Sequence, residues 1–158
     1  MYRRDRSKTI LLYLGGALAV GAALLLIGFF VYTLALRTEY RAFALEVNDE
    51  ILGCPAEERE IARGETRLPL SAFDLDYYDK ILLDQGTAVV DRKVREPDKS
   101  SIALILGEKR LWFIRVDNTL VNLRWETPEG VRGYTVRCDL ITFAQMNAYF
   151  INLARAAG

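Results

Sequence analysis

Residues Ile10 to Leu36 read ILLYLGGALAVGAALLLIGFFVYTLAL, a stretch of 27 residues without Asp, Glu, Lys or Arg. As a helix this stretch would be roughly 40 Å long, more than the ~30 Å hydrocarbon core of a bilayer. We therefore predict a single transmembrane helix over residues 10–36, with the lipid bilayer as its first partner.

The basic segment before this stretch resembles the start of a secretory signal, so cleavage has to be considered. The apolar core of a signal peptide is only about 7–15 residues long, which is much shorter than this stretch. The triplet Ala42-Phe43-Ala44 has the small-x-small form of a cleavage site, but it follows the charged residues Arg37 and Glu39. The sequence therefore favours an uncleaved signal anchor.

The charges that flank the span predict its orientation. Residues 1–9 form a basic tail that carries Arg3, Arg4, Arg6 and Lys8. The other flank has only Arg37 and Arg41, with Glu39 between them. Because basic residues accumulate on the cytoplasmic side, we expect a single-pass protein of the cytoplasmic (cell) membrane, with its C-terminal portion outside.

Small residues recur at four-residue intervals within the span, at Gly15, Ala19 and Ala23. Such spacing lets two helix backbones approach closely in lipid. The stripe therefore predicts self-association or contact with another membrane protein. The alternative is that Gly and Ala are simply common in membrane helices.

Residues 37–158 are long enough for a helical linker (37–64) and a small α+β domain (65–158). Helical spacing predicts that the first helix continues through Thr38–Leu52 and that Gly53-Cys54-Pro55 ends it. A short helix over Pro55–Arg63 is expected next. For residues 72–85 the pattern favours a helix, with a strand over residues 80–83 as the alternative.

From Thr87 onward the apolar pattern has a period of two, which predicts strands. The clearest element is a hairpin with a two-residue turn at Asp117-Asn118, which would pair Ile114 with Val121 and Trp112 with Leu123. Its predicted core face consists of Trp112, Ile114, Val116, Val121, Leu123 and Trp125. The opposite face would be wet and would carry both Arg115 and Arg124.

Three further strands complete a predicted five-stranded antiparallel meander: Thr87–Val94, Ile102–Leu106 and Gly133–Asp139. A packed C-terminal helix should follow, because Thr142 and Gln145 have the spacing of a capping box and Ile141 can contact Met146. The predicted fold class is thus α+β, with a transmembrane helix in front of it.

Several chemistries are excluded by composition. The chain has no histidine, which removes Ser-His-Asp and Cys-His catalysis and histidine metal sites. Glycine pairs occur only within the span, so no phosphate-cradling loop is expected. Ser100 and Ser101 beside Lys99 fit an exposed turn better than a nucleophile. We therefore predict a non-enzyme without cofactor or metal.

A cluster of acidic residues and a pair of thiols are two further candidate sites. The cluster Asp74, Asp76 and Asp79 fits a helix N-terminus better than a calcium loop, because no glycine or closing glutamate follows at loop spacing. Cys54 and Cys138 are the only thiols. They would form a disulfide if the domain lies outside the cytoplasm, or remain two separate thiols.

The function expected from these features is a non-catalytic interaction or accessory (scaffold) module. The chain has 21 basic and 21 acidic residues, and four of the basic residues but only one acid lie in the tail. The remainder is slightly acidic, so no nucleic-acid partner is expected. The alternative is a membrane-tethered sensor that binds an anionic ligand through Arg115 and Arg124.

Overall fold

The structure is a computed structural model that describes residues 3–71, 82–83, 88–138 and 142–157, with side chains from residue 13 onward. It divides into two compact units, Met1–Leu36 and Arg37–Gly158. Helix α1, Arg3–Gly53, contributes to both units.

The first unit consists of the N-terminal part of α1. Its large apolar side chains, from Tyr13 to Leu34, are all exposed. By length and composition, this helix is suited to cross a membrane. A helix that is apolar all round matches a lipid environment better than water, so the finding agrees with the predicted membrane span.

The second unit contains a seven-stranded antiparallel sheet. Its strands are β1 (Arg59–Arg63), β2 (Thr66–Pro69), β3 (Ala88–Asp91), β4 (Ile102–Leu106), β5 (Lys109–Arg115), β6 (Leu120–Thr127) and β7 (Gly130–Arg137). The strand order is β2-β1-β4-β5-β6-β7-β3. The α+β class is therefore confirmed, whereas the prediction of five strands is wrong.

The two strands that were not predicted are β1, which lies in the predicted helical linker (37–64), and β2, which lies directly after it. Instead of a helix over Pro55–Arg63, the chain forms a 3-10 helix at Ala56–Glu58 and then strand β1. Ile61 is fully buried between its ladder partners Leu68 and Leu104. Long-range burial between strands therefore decides this segment, and Gly64 serves the β1–β2 turn with its φ of 57°.

The predicted meander order is also wrong at β3, which pairs with β7 and not with the next strand along the chain. Residues 92–98, which we call the crossing segment, carry the chain away from β3 towards β4. Only β4, β5, β6 and β7 form a meander.

The β5–β6 hairpin has a register one residue away from the predicted one. Arg115 pairs with Val121 and Phe113 with Leu123, and the N–H of Val116 donates to the carbonyl of Leu120 (3.0 Å), so the loop has three residues, 117–119, instead of two. The carboxylate of Asp117 explains the longer loop, because it accepts hydrogen bonds from the backbone N–H groups of Thr119 (2.6 Å) and Leu120 (2.7 Å).

This register places the side chains of β5 on the opposite faces from those predicted. Leu111 and Phe113 are fully buried on the same face as Leu123 and Trp125, which we call the helix face. Trp112 lies on the other face of the sheet, which we call the crossing face. The slip of one residue exchanges the two faces because side chains alternate along a strand.

The helix face is covered by the C-terminal part of α1, which confirms the predicted helix over Thr38–Leu52. Its buried residues recur with helical spacing: Tyr40, Phe43, Ala44, Val47 and Ile51. The ring centroid of Tyr134 on β7 lies 4.8 Å from that of Phe43 and 5.6 Å from that of Tyr40. These aromatic contacts join the helix to the sheet.

Helix α1 ends at Gly53, as the predicted break at residues 53–55 requires. Arg59, at the start of β1, satisfies two carbonyl groups at this end. Its Nε donates to the carbonyl of Cys54 (2.7 Å), and its Nη2 donates to that of Leu52 (3.2 Å). A guanidinium at a helix C-terminus also complements the helix dipole.

Helix α2, Phe143–Ala157, confirms the predicted C-terminal helix. Its capping box is formed, because the N–H of Thr142 donates to Gln145 Oε1 (2.7 Å) and the N–H of Gln145 donates to Thr142 Oγ1 (3.3 Å). The predicted contact of Ile141 lies outside the described residues. Of residues 72–85, for which a helix and a strand were the alternatives, the structure describes only Leu82 and Leu83, and these two are helical.

Candidate functional site

A groove of about 680 Å³ lies within the second unit, between the C-terminal part of α1 and one end of the sheet. At this end β5 begins, β6 ends and β7 begins. Helix α1 contributes Glu46 and Glu50, which are one turn apart. The sheet contributes Lys109, Trp125 and Arg132, and residues 127–131 with their connecting turn form the remaining wall. The groove therefore combines charged groups of both signs with one large aromatic side chain.

The register of the sheet brings these side chains together. Trp125 pairs with Leu111 of β5 and with Arg132 of β7, so all three point to the helix face. Glu46 of α1 forms an ion pair and hydrogen bond with Arg132, and Glu50 lies 2.5 Å from Lys109 Nζ. Two ion pairs thus join α1 to the sheet at the groove.

Trp125 is the most deeply buried residue of the groove, with a relative exposure of 1%. Its indole N–H is buried and has no hydrogen-bond acceptor among the residues that the structure describes. Trp112, on the crossing face, differs because its indole N–H donates to Glu126 Oε2 at 2.9 Å. A buried N–H without an acceptor is unfavourable, and this one is enclosed by the protein, so Trp125 contributes its ring to the wall of the groove.

The electrostatics of the groove favour the charged form of its ion pairs. The hydrogen bond from Arg132 holds the pKa of the Glu46 carboxyl below its usual value, and Lys109 adds to this effect. The same hydrogen bond raises the pKa of Arg132. Arg132 also lies 5.7 Å from the ring centroid of Phe43, which adds a cation–π contact.

The lowered pKa of Glu46 predicts an acid-dependent contribution to stability. Because the folded-state pKa lies below the ordinary value of 4.5, the stabilisation is present above that pH and is lost as the pH falls through the folded-state value. We expect the free energy of unfolding of the wild type to exceed that of Glu46→Gln at pH 7, and the difference to shrink on acidification.

Urea unfolding at several pH values measures this difference. Because the pair is half exposed, we expect the difference to be small and to shrink in high salt as well. A difference that is constant between pH 7 and pH 3 would contradict the assignment of the effect to the ionised carboxylate.

The two arginines predicted to share a ligand site lie on opposite faces of the sheet. Arg115 lies on the helix face, because it continues the alternation of Leu111 and Phe113 along β5. It is the last residue of the strand, where its side chain is exposed and donates to Asn118 Oδ1 at 2.7 Å. Arg124 pairs with Trp112 in the ladder and therefore lies on the crossing face. The structure does not bring the two side chains together, because the predicted register was one residue off.

The guanidinium of Arg124 is already matched by groups of its own chain. It lies 2.6 Å from Glu96 and 2.8 Å from Glu126, and it donates to the carbonyl of Arg95 at 3.1 Å. Only 11% of its side chain is exposed. Arg124 thus holds the crossing segment against the sheet and offers little to an external anion.

Cys54 and Cys138 are both free thiols in the structure. Cys138 follows β7 and lies near Tyr40, whose pKa is raised by burial and, to a smaller extent, by this thiol. Cys54 lies beyond the end of α1, roughly 20 Å from Tyr40 along the helix. Since a disulfide requires Cα atoms within about 7 Å, the two positions do not suit a bond, and the alternative of separate thiols applies.

The remaining predicted sites are only partly described. Gly15, Ala19 and Ala23 lie on the exposed part of α1, and their role in helix association stays a prediction. The Asp74, Asp76 and Asp79 cluster lies outside the described residues. Within the described residues, no group of three or more His, Cys, Asp or Glu side chains is placed to hold a metal ion.

The turn at Ser100 and Ser101 is confirmed. The carboxylate of Asp98 accepts hydrogen bonds from both hydroxyls, at 2.7 Å and 2.9 Å, although Ser101 is buried and not exposed as expected. The hydrogen bonds from Ser100 and then Ser101 also hold the pKa of Asp98 below its usual value. These serines therefore shape the loop before β4.

Sequence reasoning did not find the groove, although Glu46 and Glu50 share one face of a predicted helix. Their partners, Lys109 and Arg132, become neighbours only through the strand order. No protein-family model, curated protein or solved structure matches the chain.

Proposed function

We propose that this protein is a single-pass membrane anchor that carries a non-catalytic interaction or accessory (scaffold) module. The observation that carries the proposal is the exposure of every large apolar side chain from Tyr13 to Leu34 on α1. Exposure of this apolar surface to water would be strongly unfavourable, whereas the hydrocarbon core of a bilayer accommodates it. The backbone N–H and C=O groups need no outside partner there, because they are hydrogen-bonded within the helix.

The N-terminal tail is proposed to stay in the cytoplasm and the second unit to lie outside the cytoplasmic membrane. The support is the excess of basic residues in the tail: Arg3, Arg4, Arg6 and Lys8. Positively charged residues next to a span disfavour translocation of that flanking segment across the membrane.

An interaction role is favoured over catalysis by the state of the charged groups. Glu46 and Glu50 pair with Arg132 and Lys109, and Arg124 pairs with Glu96 and Glu126. Such mutually neutralised pairs stabilise the fold but do not supply a general acid and base with separated pKa values. The sequence also lacks histidine.

Membrane anchoring is tested by alkaline carbonate extraction of membranes that contain the full chain. We expect the wild type to remain in the pellet, and the variant Leu24→Lys/Leu25→Lys to move to the supernatant because two charges at the centre of the span oppose insertion. The matched control is Leu45→Lys/Leu52→Lys, which alters two exposed leucines outside the span and should remain in the pellet. A wild type found in the supernatant would refute the anchor.

Orientation and partnership need two further measurements. A periplasmic-type phosphatase fused after Gly158 should be active, whereas a fluorescent protein that folds only in the cytosol should stay dark there.

Purification of the chain in mild detergent should yield a stoichiometric protein partner if the module is a scaffold. Repeated isolation as a lone monomer would count against that role.

A further inference from the structure

We propose that Arg37 and Arg41 of α1 bind the phosphate of an anionic phospholipid at the membrane surface. This inference rests on the proposed anchor and adds a partner that anchoring alone does not require, a lipid selected by the charge of its headgroup. Three features carry it: the distance of the two arginines from the span, their position on one face of the helix, and the pairing of the acid that lies between them in the sequence.

The two arginines lie at the depth of the lipid headgroups. Helix α1 continues without interruption from the predicted span to Gly53, so positions can be counted along its axis. At about 1.5 Å per residue, Arg37 and Arg41 lie roughly 2 Å and 8 Å beyond Leu36, the last residue of the predicted span. The headgroup region of a bilayer is about 5–8 Å thick on each side of the hydrocarbon core. Both guanidinium groups therefore reach the level of the lipid phosphates.

The side chains of Arg37 and Arg41 are free to bind a ligand. The two residues are four positions apart, so their side chains are neighbours on one face of α1. Both residues are exposed, and neither forms an ion pair or a side-chain hydrogen bond with any residue that the structure describes. Guanidinium groups bind phosphate through forked hydrogen bonds, so two adjacent ones form a suitable contact for a phosphate group.

The acid between the two arginines does not neutralise them. Glu39 is two positions from each of them, which places it about 200° around the helix. Its carboxylate accepts a hydrogen bond of 2.6 Å from Nη1 of Arg92, the residue that follows β3. The next residues on the face of the two arginines, Leu45 and Asn48, are uncharged. This face therefore keeps two positive charges, which favours an anionic lipid over a zwitterionic one.

A lipid fits this position better than a soluble phosphate. The acyl chains of a lipid hold its phosphate at the depth of the arginines, which gives the phosphate a high local concentration. A soluble phosphate would have to be captured from water by two exposed side chains, and contacts between exposed charges contribute little.

Native mass spectrometry of the full chain, released from detergent micelles with added lipid, tests the proposal. The probes are phosphatidylglycerol, which is anionic, and phosphatidylcholine, which is zwitterionic, with the same acyl chains. We expect the wild type to bind phosphatidylglycerol more tightly than phosphatidylcholine. Arg37→Gln/Arg41→Gln should weaken the binding of phosphatidylglycerol by about fivefold or more, because each basic side chain near an anionic surface contributes about fivefold in affinity.

The matched control is Arg110→Gln/Arg155→Gln, which removes two exposed arginines from β5 and α2. It should bind phosphatidylglycerol as the wild type does. The basic tail also attracts anionic lipids, but it is the same in all variants, so a difference between the two double variants reports on Arg37 and Arg41. Soluble glycerol phosphate, which has the headgroup charge without acyl chains, should not displace the lipid.

The inference fails if the two lipids bind the wild type equally, or if the two double variants bind phosphatidylglycerol equally. It also fails if glycerol phosphate displaces the lipid, because the arginines would then bind a soluble anion. These outcomes are distinct from failure of the anchor, which the carbonate extraction decides. A wild type that stays in the carbonate pellet but does not prefer phosphatidylglycerol would leave the anchor in place and overturn the lipid contact.

Discussion

Replacement of Phe113 by alanine is expected to lower the free energy of unfolding by about 3–5 kcal/mol. The ring of Phe113 is fully buried on the helix face, opposite Ile102 of β4 and Leu123 of β6 in the ladders. Both neighbours belong to central strands that cannot collapse easily onto the space left behind. The loss therefore includes the transfer of the ring and the cost of a cavity.

Urea unfolding of the full chain in micelles, followed by the fluorescence of its two tryptophans, Trp112 and Trp125, measures this effect. The control is Leu45→Ala, which shortens a half-exposed leucine on the outer side of α1 and should change stability by less than about 0.5 kcal/mol. If Phe113 instead lay on a wet face, as the two-residue turn would require, its replacement would cost no more than the control. That result would refute the register of the hairpin.

The Phe113 prediction shows where sequence reasoning about this fold stops. Alternating apolar residues correctly indicated a hairpin near Asp117. Both sets of alternate positions in β5 are apolar, however: Trp112 and Ile114 on one face, and Leu111 and Phe113 on the other. The pattern therefore does not show which of the two faces is buried. The side chain of Asp117 selects a three-residue loop through two hydrogen bonds, and the register follows from it. The predicted placement of Arg115 and Arg124 on one face was wrong for the same reason.

Local signals were reliable at three other places, although they predicted a helix over Pro55–Arg63 that the structure does not contain. The apolar stretch at residues 10–36, the capping box at Thr142 and the turn before β4 each depend on residues close in sequence, and the structure contains all three as predicted elements. On α1, the helical spacing of the apolar residues correctly predicted a helix, but it could not show that Phe43 and Val47 would be buried while Leu45 remains exposed.

Contacts between distant segments were not predictable from one sequence. Strand β1 exists because Ile61 is buried between β2 and β4, and β3 pairs with a strand more than forty residues further on. The groove has the same origin, since Glu46 and Arg132 are separated by 86 positions in the chain. Nothing in the sequence around Glu46 or around Arg132 predicts that the two residues form a pair.

Replacement of Gly133 by alanine is expected to destabilise the second unit by about 1–3 kcal/mol through overpacking. A Cβ atom at this position would lie 2.8 Å from the carbonyl oxygen of Lys93 and 3.0 Å from the Cα of Val94. Both atoms belong to the backbone of the crossing segment, so no side-chain rotation relieves the contact. Gly133 is therefore required by the close approach of two backbones.

The crossing segment cannot simply move away, because Asn122 of β6 holds it. The buried amide of Asn122 donates to the carbonyl of Lys93 (2.7 Å) and accepts from the N–H of Arg95 (3.3 Å). A shift that accommodates the new methyl group would lengthen both bonds and leave buried polar groups unpaired, which costs further free energy. We therefore expect the amide of Arg95 to exchange faster with solvent in Gly133→Ala.

The same substitution at Gly53 provides the control. Gly53 is the last residue of α1, and a Cβ atom there would have no neighbour within 4 Å. Gly53→Ala should therefore be neutral or slightly stabilising, because alanine loses less backbone entropy on folding. If Gly133→Ala unfolds at the same urea concentration as Gly53→Ala and Arg95 exchanges as in the wild type, the crossing segment is not held tightly against β7. Hydrogen exchange distinguishes a displaced segment from a general loss of stability, because only displacement affects Arg95 before the core strands.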